Sequence, residues 1–251
     1  MTHFMKKIWL SVCTLSLLTC FSCSKDGEIN LGQGLKEIPI FYLESPTNAS
    51  FVPTVDKIKL SYDGGQLTRI TGGFTFMPMV DGFRMLFTDQ VYWNVAVNGN
   101  QVTLEKKSVD KSVTFSDKHE LRYQGNKIVE RKIFEKTNTP IIYTYEYNGD
   151  LLKEEQLYKD GQFLSRRTFY YNAVGNLDSL VVSHNTYTHK SVEIFTDYDK
   201  KPNKIKGIMV LEELLPRALS RNNYLKKTII SISESGERTF GGERTWGAQL
   251  F

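Results

Sequence analysis

The sequence predicts a mainly β protein: an antiparallel meander of hairpins forming a curved or elongated sheet, with one or two short helices near the C-terminal third. Three observations predict it. Thirteen Tyr, fifteen Phe and three Trp fall in short runs with Val, Ile and Thr, the residues that suit a pleated, half-buried surface. Turn signals separate most of those runs at intervals of roughly ten to twenty-five residues. One segment alone, Ile208 to Leu219, stands out by a helical spacing of apolar residues.

In chain order the first element is a targeting segment. Lys6 and Lys7 precede the apolar run from Ile8 to Leu18, and Thr19-Cys20-Phe21-Ser22-Cys23 follows. At about 14 residues the stretch is shorter than the roughly 20 that cross a bilayer as a helix, so residues 1–22 read as a secretory signal. The junction resembles the lipobox of bacterial lipoproteins, in which a cysteine thiol receives diacylglycerol and becomes the first mature residue. Cys23 is favoured over Cys20, because a small residue directly precedes it and the polar Ser24-Lys25-Asp26 directly follows. That tail also resembles the segments behind the lipidated cysteine in surface-displayed lipoproteins of Bacteroidota. Residues 23–36 are then a lipidated tether, and the implied location is the outer membrane, on the cell surface rather than the periplasmic face.

The remaining chain divides by style into an N-terminal β region, 37–115, and a repeat β region, 116–251, which together make one continuous domain or two. Ile58-Lys59-Leu60-Ser61-Tyr62, Val102 to Glu105, Ile141 to Tyr147 and Val192 to Phe195 alternate apolar and polar residues, placing one face inward and one in water. Asp63-Gly64-Gly65, Asp81-Gly82, Asn98-Gly99, Gln124-Gly125, Asn148-Gly149, Asp160-Gly161 and Val174-Gly175 supply the reversals. Five of these places share a plan in which a tyrosine ends a strand, glycine turns the chain, and an apolar residue starts the next strand. They begin at Tyr62, Tyr123, Tyr147, Tyr158 and Tyr171.

That repeat, followed by Tyr198-Asp199-Lys200-Lys201-Pro202-Asn203 and Arg221-Asn222-Asn223, resembles the tyrosine-rich, YD-repeat-like β domains of an uncharacterised Bacteroidota lipoprotein family. The resemblance covers residues 116–235 and implies an exported β protein with no activity to carry over. The C-terminus departs from it: Gly236-Glu237-Arg238-Thr239-Phe240 is followed by Gly242-Glu243-Arg244-Thr245-Trp246 without another full hairpin. In the helical segment Pro216 argues against one unbroken helix, so short pieces plugging one end or face of the sheet are expected.

Charge and motifs exclude more than they nominate. With Lys6 and Lys7 removed, thirty basic residues face 28 acidic ones in an interleaved order, which lacks the basic stripe of a nucleic-acid binder. All three cysteines lie in or at the end of the signal, so the body has no disulfide and no thiol nucleophile. His184 and His189 are five apart, which on a strand sends them to opposite faces, and zinc needs three or four convergent ligands. Glu154-Glu155 and Glu212-Glu213 are adjacent, whereas glycosidases need two carboxylates facing one cleft. No catalytic residue, cofactor or metal ligand is assigned.

Tyr92-Trp93 and the Tyr143, Tyr145, Tyr147 ladder suit either a sugar-stacking platform or ordinary cross-strand pairing, and the second reading is preferred. Asp178-Ser179-Leu180 resembles an O-glycosylation motif of exported Bacteroidota proteins. The expectation is therefore a membrane-anchored, non-enzymatic binding or interaction module, with lipid as one partner and a glycan or protein as the other. The alternatives are a carrier or assembly factor for an apolar ligand, then a hydrolase without a local motif.

Overall fold

A computed structural model describes residues 29, 31, 34–40, 56–79, 82–135 and 139–246, so residues 1–22, expected to be a signal, and Cys23 lie outside the described residues, Cys20 among them. Fourteen strands form one antiparallel sheet in which every strand pairs with its neighbours in sequence. They are β1 (Glu37–Pro39), β2 (Lys57–Asp63), β3 (Gln66–Met79), β4 (Gly82–Asn98), β5 (Gln101–Ser108), β6 (Lys118–Gln124) and β7 (Lys127–Phe134). Then follow β8 (Ile141–Asn148), β9 (Leu151–Lys159), β10 (Gln162–Tyr171), β11 (Leu177–His184), β12 (Lys190–Pro202), β13 (Asn222–Ile232) and β14 (Arg238–Thr245). The sheet is unclosed, with β1 and β14 at its two ends. Pairing runs without interruption from β5 to β6, Gln101↔Arg122 through Glu105↔Lys118, across the change of style near residue 115.

The turns behave as the glycines dictate. At Asp160-Gly161 both residues have positive φ, 51° and 74°, the conformation a tight hairpin requires and a branched side chain resists. Gly149 sits at φ 55° with nothing within 4 Å of where a Cβ would be, so its glycine answers to backbone geometry alone. The Asp81-Gly82 turn is framed by Met79↔Gly82, with Asp81 itself outside the described residues.

The repeat has a structural meaning that its spelling did not reveal. In four units the register shifts by one residue at the tyrosine, which then faces the apolar residue opening the next strand: Tyr62↔Leu67, Tyr123↔Ile128, Tyr147↔Leu152 and Tyr171↔Leu177. Each bulge turns tyrosine and its partner to the same inner face, where Leu67, Ile128, Leu152 and Leu177 are buried. Two hydroxyls stitch successive hairpins together: Tyr171 donates to the Leu152 carbonyl at 2.9 Å, and Tyr198 donates to that of Leu177. The fifth unit differs. Tyr158 pairs Phe163 at the opposite end of the strands and carries the same spelling on the outer face.

Fourteen strands laid flat would span about 60 Å, and open sheets this wide curl. Here the inner face wraps the segment between β12 and β13. One hydrophobic cluster joins Ile38 of β1, residues of the strands across the sheet, and Ile205, Ile208, Met209, Val210, Leu211, Leu214, Leu215 and Ala218 of that segment. Its helical part is shorter than the apolar spacing suggests: a 3₁₀ turn at Glu212–Leu214, then α1 (Leu215–Leu219). Pro216 falls in the first turn of α1, where a missing N–H costs nothing. No helix among the described residues is long and apolar enough to cross a membrane.

The segment is fastened at both ends by side-chain amides that replace secondary structure. Asn203 donates to the carbonyls of Arg217 and Ser220 at 2.7 and 2.9 Å and accepts from the Ile205 amide. Asn176 accepts from the Asn222 amide at 2.7 Å, and Asn223 donates to the Asp199 carboxylate at 3.0 Å. The residues of Tyr-Asp-Lys-Lys-Pro-Asn and Arg-Asn-Asn are thus a clasp around the covering segment.

Candidate functional site

Alternation and register divide the inner face into bands along the strands. Nearest the bulged turns, Val102, Leu104, Leu121, Ile128, Leu152, Leu177 and Leu180 belong to the same core cluster as the covering segment. Two to four residues along the same strands the inward positions carry charge: Arg131 on β7, Glu155 on β9, Arg167 on β10, Glu193 on β12 and Lys227 on β13. The remaining inward positions, the open band, are Ile133, Ile141, Tyr143, Leu157, Val182 and Ile229, all half-buried; Tyr143, Val182 and Ile229 stand directly opposite Arg131, Arg167 and Glu193. The covering segment reaches the charged residues through Glu212; Tyr143 and Val182 pack against the core cluster, while Ile133, Ile141, Leu157 and Ile229 stand outside it.

The charged band is the candidate site. Glu155, 3% exposed, holds Arg167 in a bidentate pair, with Nε to Oε1 at 2.5 Å and Nη2 to Oε2 at 2.7 Å. Glu212 reaches down from the covering segment to Arg131 at 3.6 Å and Arg167 at 3.9 Å. Arg131, 1% exposed, also donates to the Met209 carbonyl at 2.5 Å, so the segment is tied to the sheet by a carboxylate and a backbone oxygen together. Two cations and two anions make the cluster neutral, the condition under which buried charge is tolerated. Burial raises the Tyr143 and Tyr145 hydroxyls well above their ordinary range, reinforced by Glu155 and Glu212. Both stay protonated.

Glu155 has both oxygens occupied by Arg167, and the two carboxylates that folding brings together are separated by guanidinium groups rather than by a space for substrate. His119, tilted against Trp93 at 4.7 Å between centroids, is pushed down to about 3, first by burial and then by Arg131 and Lys106. It is neutral at physiological pH and a very weak base. Tyr123, pushed up to about 12 by burial, directs a hydroxyl without a hydrogen-bond partner among the described residues into the interior.

A second fastening lies at the last strands. Arg217, fully buried, donates to the Tyr224 carbonyl at 3.2 Å. Its guanidinium carbon stands 4.2 and 4.4 Å from the ring centroids of Tyr224 and Trp246. The two rings flank the buried guanidinium as cation–π partners.

The residues singled out from sequence land in different places. Trp93 is packed against the core cluster, and Tyr143, Tyr145 and Tyr147 share the inner face, so the ladder is cross-strand packing with Tyr143 alone reaching the open band. Glu154 and Glu155 do face opposite ways: Glu154 pairs Arg166 at 3.1 Å on the outer face. Glu212 and Glu213 sit on a helical turn instead of a strand.

The opposite-face reading of His184 and His189 is corrected. His184 ends β11, His189 lies in the loop beyond, and the loop brings both rings to Tyr187, at 6.0 and 5.2 Å. Among the described residues no three His, Cys, Asp or Glu side chains gather to hold a metal ion. Ser179 is half-buried in mid-strand, paired with Tyr170 and Ile194. The Arg131, Glu155, Arg167 and Glu212 cluster was not foreseen. Its signal was charge at inward positions, visible only once each bulge is placed. The chain matches no protein-family model, and no curated protein matches its sequence.

Proposed function

We propose that the chain is an exported lipoprotein, acylated at Cys23, that acts as a non-enzymatic binding module and takes its ligand on the open band of the inner face. The observation that carries this is the half-covered row of Ile133, Ile141, Tyr143, Leu157, Val182 and Ile229, bordered by a charged band that is already neutralised within itself. A site of this kind offers apolar contact and one aromatic anchor without a free acid or base. A carrier for an apolar ligand is the second reading, favoured because five of the six residues are aliphatic. A glycan or protein ligand instead needs Tyr143 to supply the anchor.

The test uses residues 24–251, which contain every described strand, against a fluorescent fatty acid, oligosaccharides and candidate proteins, with glycoside, ester and peptide hydrolysis measured in parallel. Leu157→Asp and Val182→Asp should each weaken binding at least about tenfold, the penalty for an unpaired charge in an apolar contact. Sustained turnover lost on replacing a single Asp, Glu or His, with the fold intact, would sink the binding reading. For the anchor, Cys23→Ala should abolish acylation and release the protein from membranes. Acylation that persists in that variant and disappears in Cys20→Ala reassigns the site.

A further inference from the structure

We propose that β14 is a self-complementary pairing edge, and that two copies of this chain join along it, antiparallel, to make one continuous sheet. Among the described residues β14 has a neighbour on one side only, β13, and six of its eight residues are exposed. Phe240, at 67%, is the most exposed large apolar residue among those described. It ends an outward-facing cross-strand row, Val181↔Val192, Val192↔Ile230 and Ile230↔Phe240, that runs across four strands to the open edge.

The occupant is argued from charge order. The strand reads Glu237-Arg238-Thr239-Phe240-Gly241-Gly242-Glu243-Arg244. Laid against itself antiparallel about a two-fold axis between Phe240 and Gly241, it sets Arg238 opposite Glu243 of the second copy and Glu237 opposite Arg244 of the second copy. The two-fold repeats both pairs. A shift of one residue either way opposes Arg238 to Arg244, or Glu237 to Glu243, so like charges reject the neighbouring registers.

Such a dimer preserves faces, and an unbroken strand could not meet that condition in this register, because residues an odd number apart point to opposite faces. The bulge removes the difficulty. Ile230 pairs Phe240 while Ile229 pairs Gly242, so Gly241 is the extra residue. Arg238, Phe240 and Glu243 then share the outer face, and Thr239, Gly242 and Arg244 the inner one. Charge and a bulge on an edge ordinarily prevent pairing. Here they favour this register over its one-residue neighbours, with the two Phe240 side chains adjacent across the axis and glycine opposite each.

Because all three cysteines precede residue 24, single-cysteine variants of residues 24–251 are clean probes. Sedimentation should give a concentration-dependent dimer. Mild oxidation should cross-link Phe240→Cys, whose Cα atoms would stand about 6 Å apart across the axis, within disulfide reach. Leu151→Cys, exposed at a distant turn, should not cross-link. Arg238→Glu and Glu243→Arg should each weaken self-association by about tenfold or more, since each opposes like charges twice. Mixing those two variants should restore a heterodimer, because every facing pair is again opposite in sign. Monomer at every concentration, cross-linking no better at position 240 than at 151, or failure of the mixture to recover would each overturn the proposal.

Discussion

Leu180 and Val182 stand two residues apart on β11 and face the same way, yet Leu180 is 2% exposed and Val182 is half-buried. The same contrast recurs along the sheet, with Leu152 against Leu157 on β9 and Ile128 against Ile133 on β7. Alternation decides which face a residue occupies. Cover decides whether that face is dry, and a segment of under twenty residues between Asn203 and Arg221 supplies it. The open band therefore has strand chemistry suited to a core with no described segment over it, which is why it reads as a place for a ligand.

The largest expected effect lies at the border between the two bands. Glu155→Ala leaves Arg167 without its bidentate partner in a mostly buried position and should cost about 3–5 kcal/mol in chemical denaturation. Arg166→Ala, on the outer face, should cost less than about 1 kcal/mol. Equal losses would mean that burial does not separate the two faces. Next comes the pair on β11: Leu180→Ala should cost about 2–4 kcal/mol and Val182→Ala about 1 kcal/mol or less. A reversal of that order would show the open band to be the better packed.

A pH series sharpens the comparison at His119. Its folded pKa of about 3 lies below the unfolded value near 6.5, so below pH 6.5 the unfolded chain binds more protons. Stability is complete above that pH and falls as pH drops toward 3, by at most about 1.4 kcal/mol per unit. Between pH 7 and pH 5 the loss should reach roughly 2 kcal/mol. His119→Asn should flatten that part of the profile, and an unchanged slope would assign the pH dependence elsewhere. The turns come last. Gly149→Val and Gly161→Val should each cost about 1–3 kcal/mol from backbone strain alone. An unchanged Tm in both would show that these turns tolerate a branched side chain.

The parts legible in sequence were those written locally. Strand alternation and Asn-Gly or Asp-Gly turns each occupy a handful of residues, and the meander follows because every strand meets its neighbour in the chain. The helical plug was legible too, since Ile208, Leu211, Leu215 and Ala218 all turned out buried, although the helix spans only Leu215–Leu219. The charged cluster was not legible for two reasons. A bulge at each tyrosine shifts face parity, so Glu155 and Arg167 could not be placed inward by counting. And Glu212 meets residues 45 and 81 positions earlier in the chain. The proposed dimer edge rests on the same device, a parity shift at Gly241.

The meander has a consequence for how such a chain acquires its structure. Because no strand waits for a distant partner, each hairpin can close soon after its second strand becomes available, starting from either end. Ordering by local closure favours speed over a topology that must search for remote pairings. The covering segment is the exception: Arg131 and Met209 are 78 residues apart, and their bond has to await the intervening five strands, β8 to β12. The tempo of maturation should therefore be set by one late, long-range docking step on a ladder assembled hairpin by hairpin.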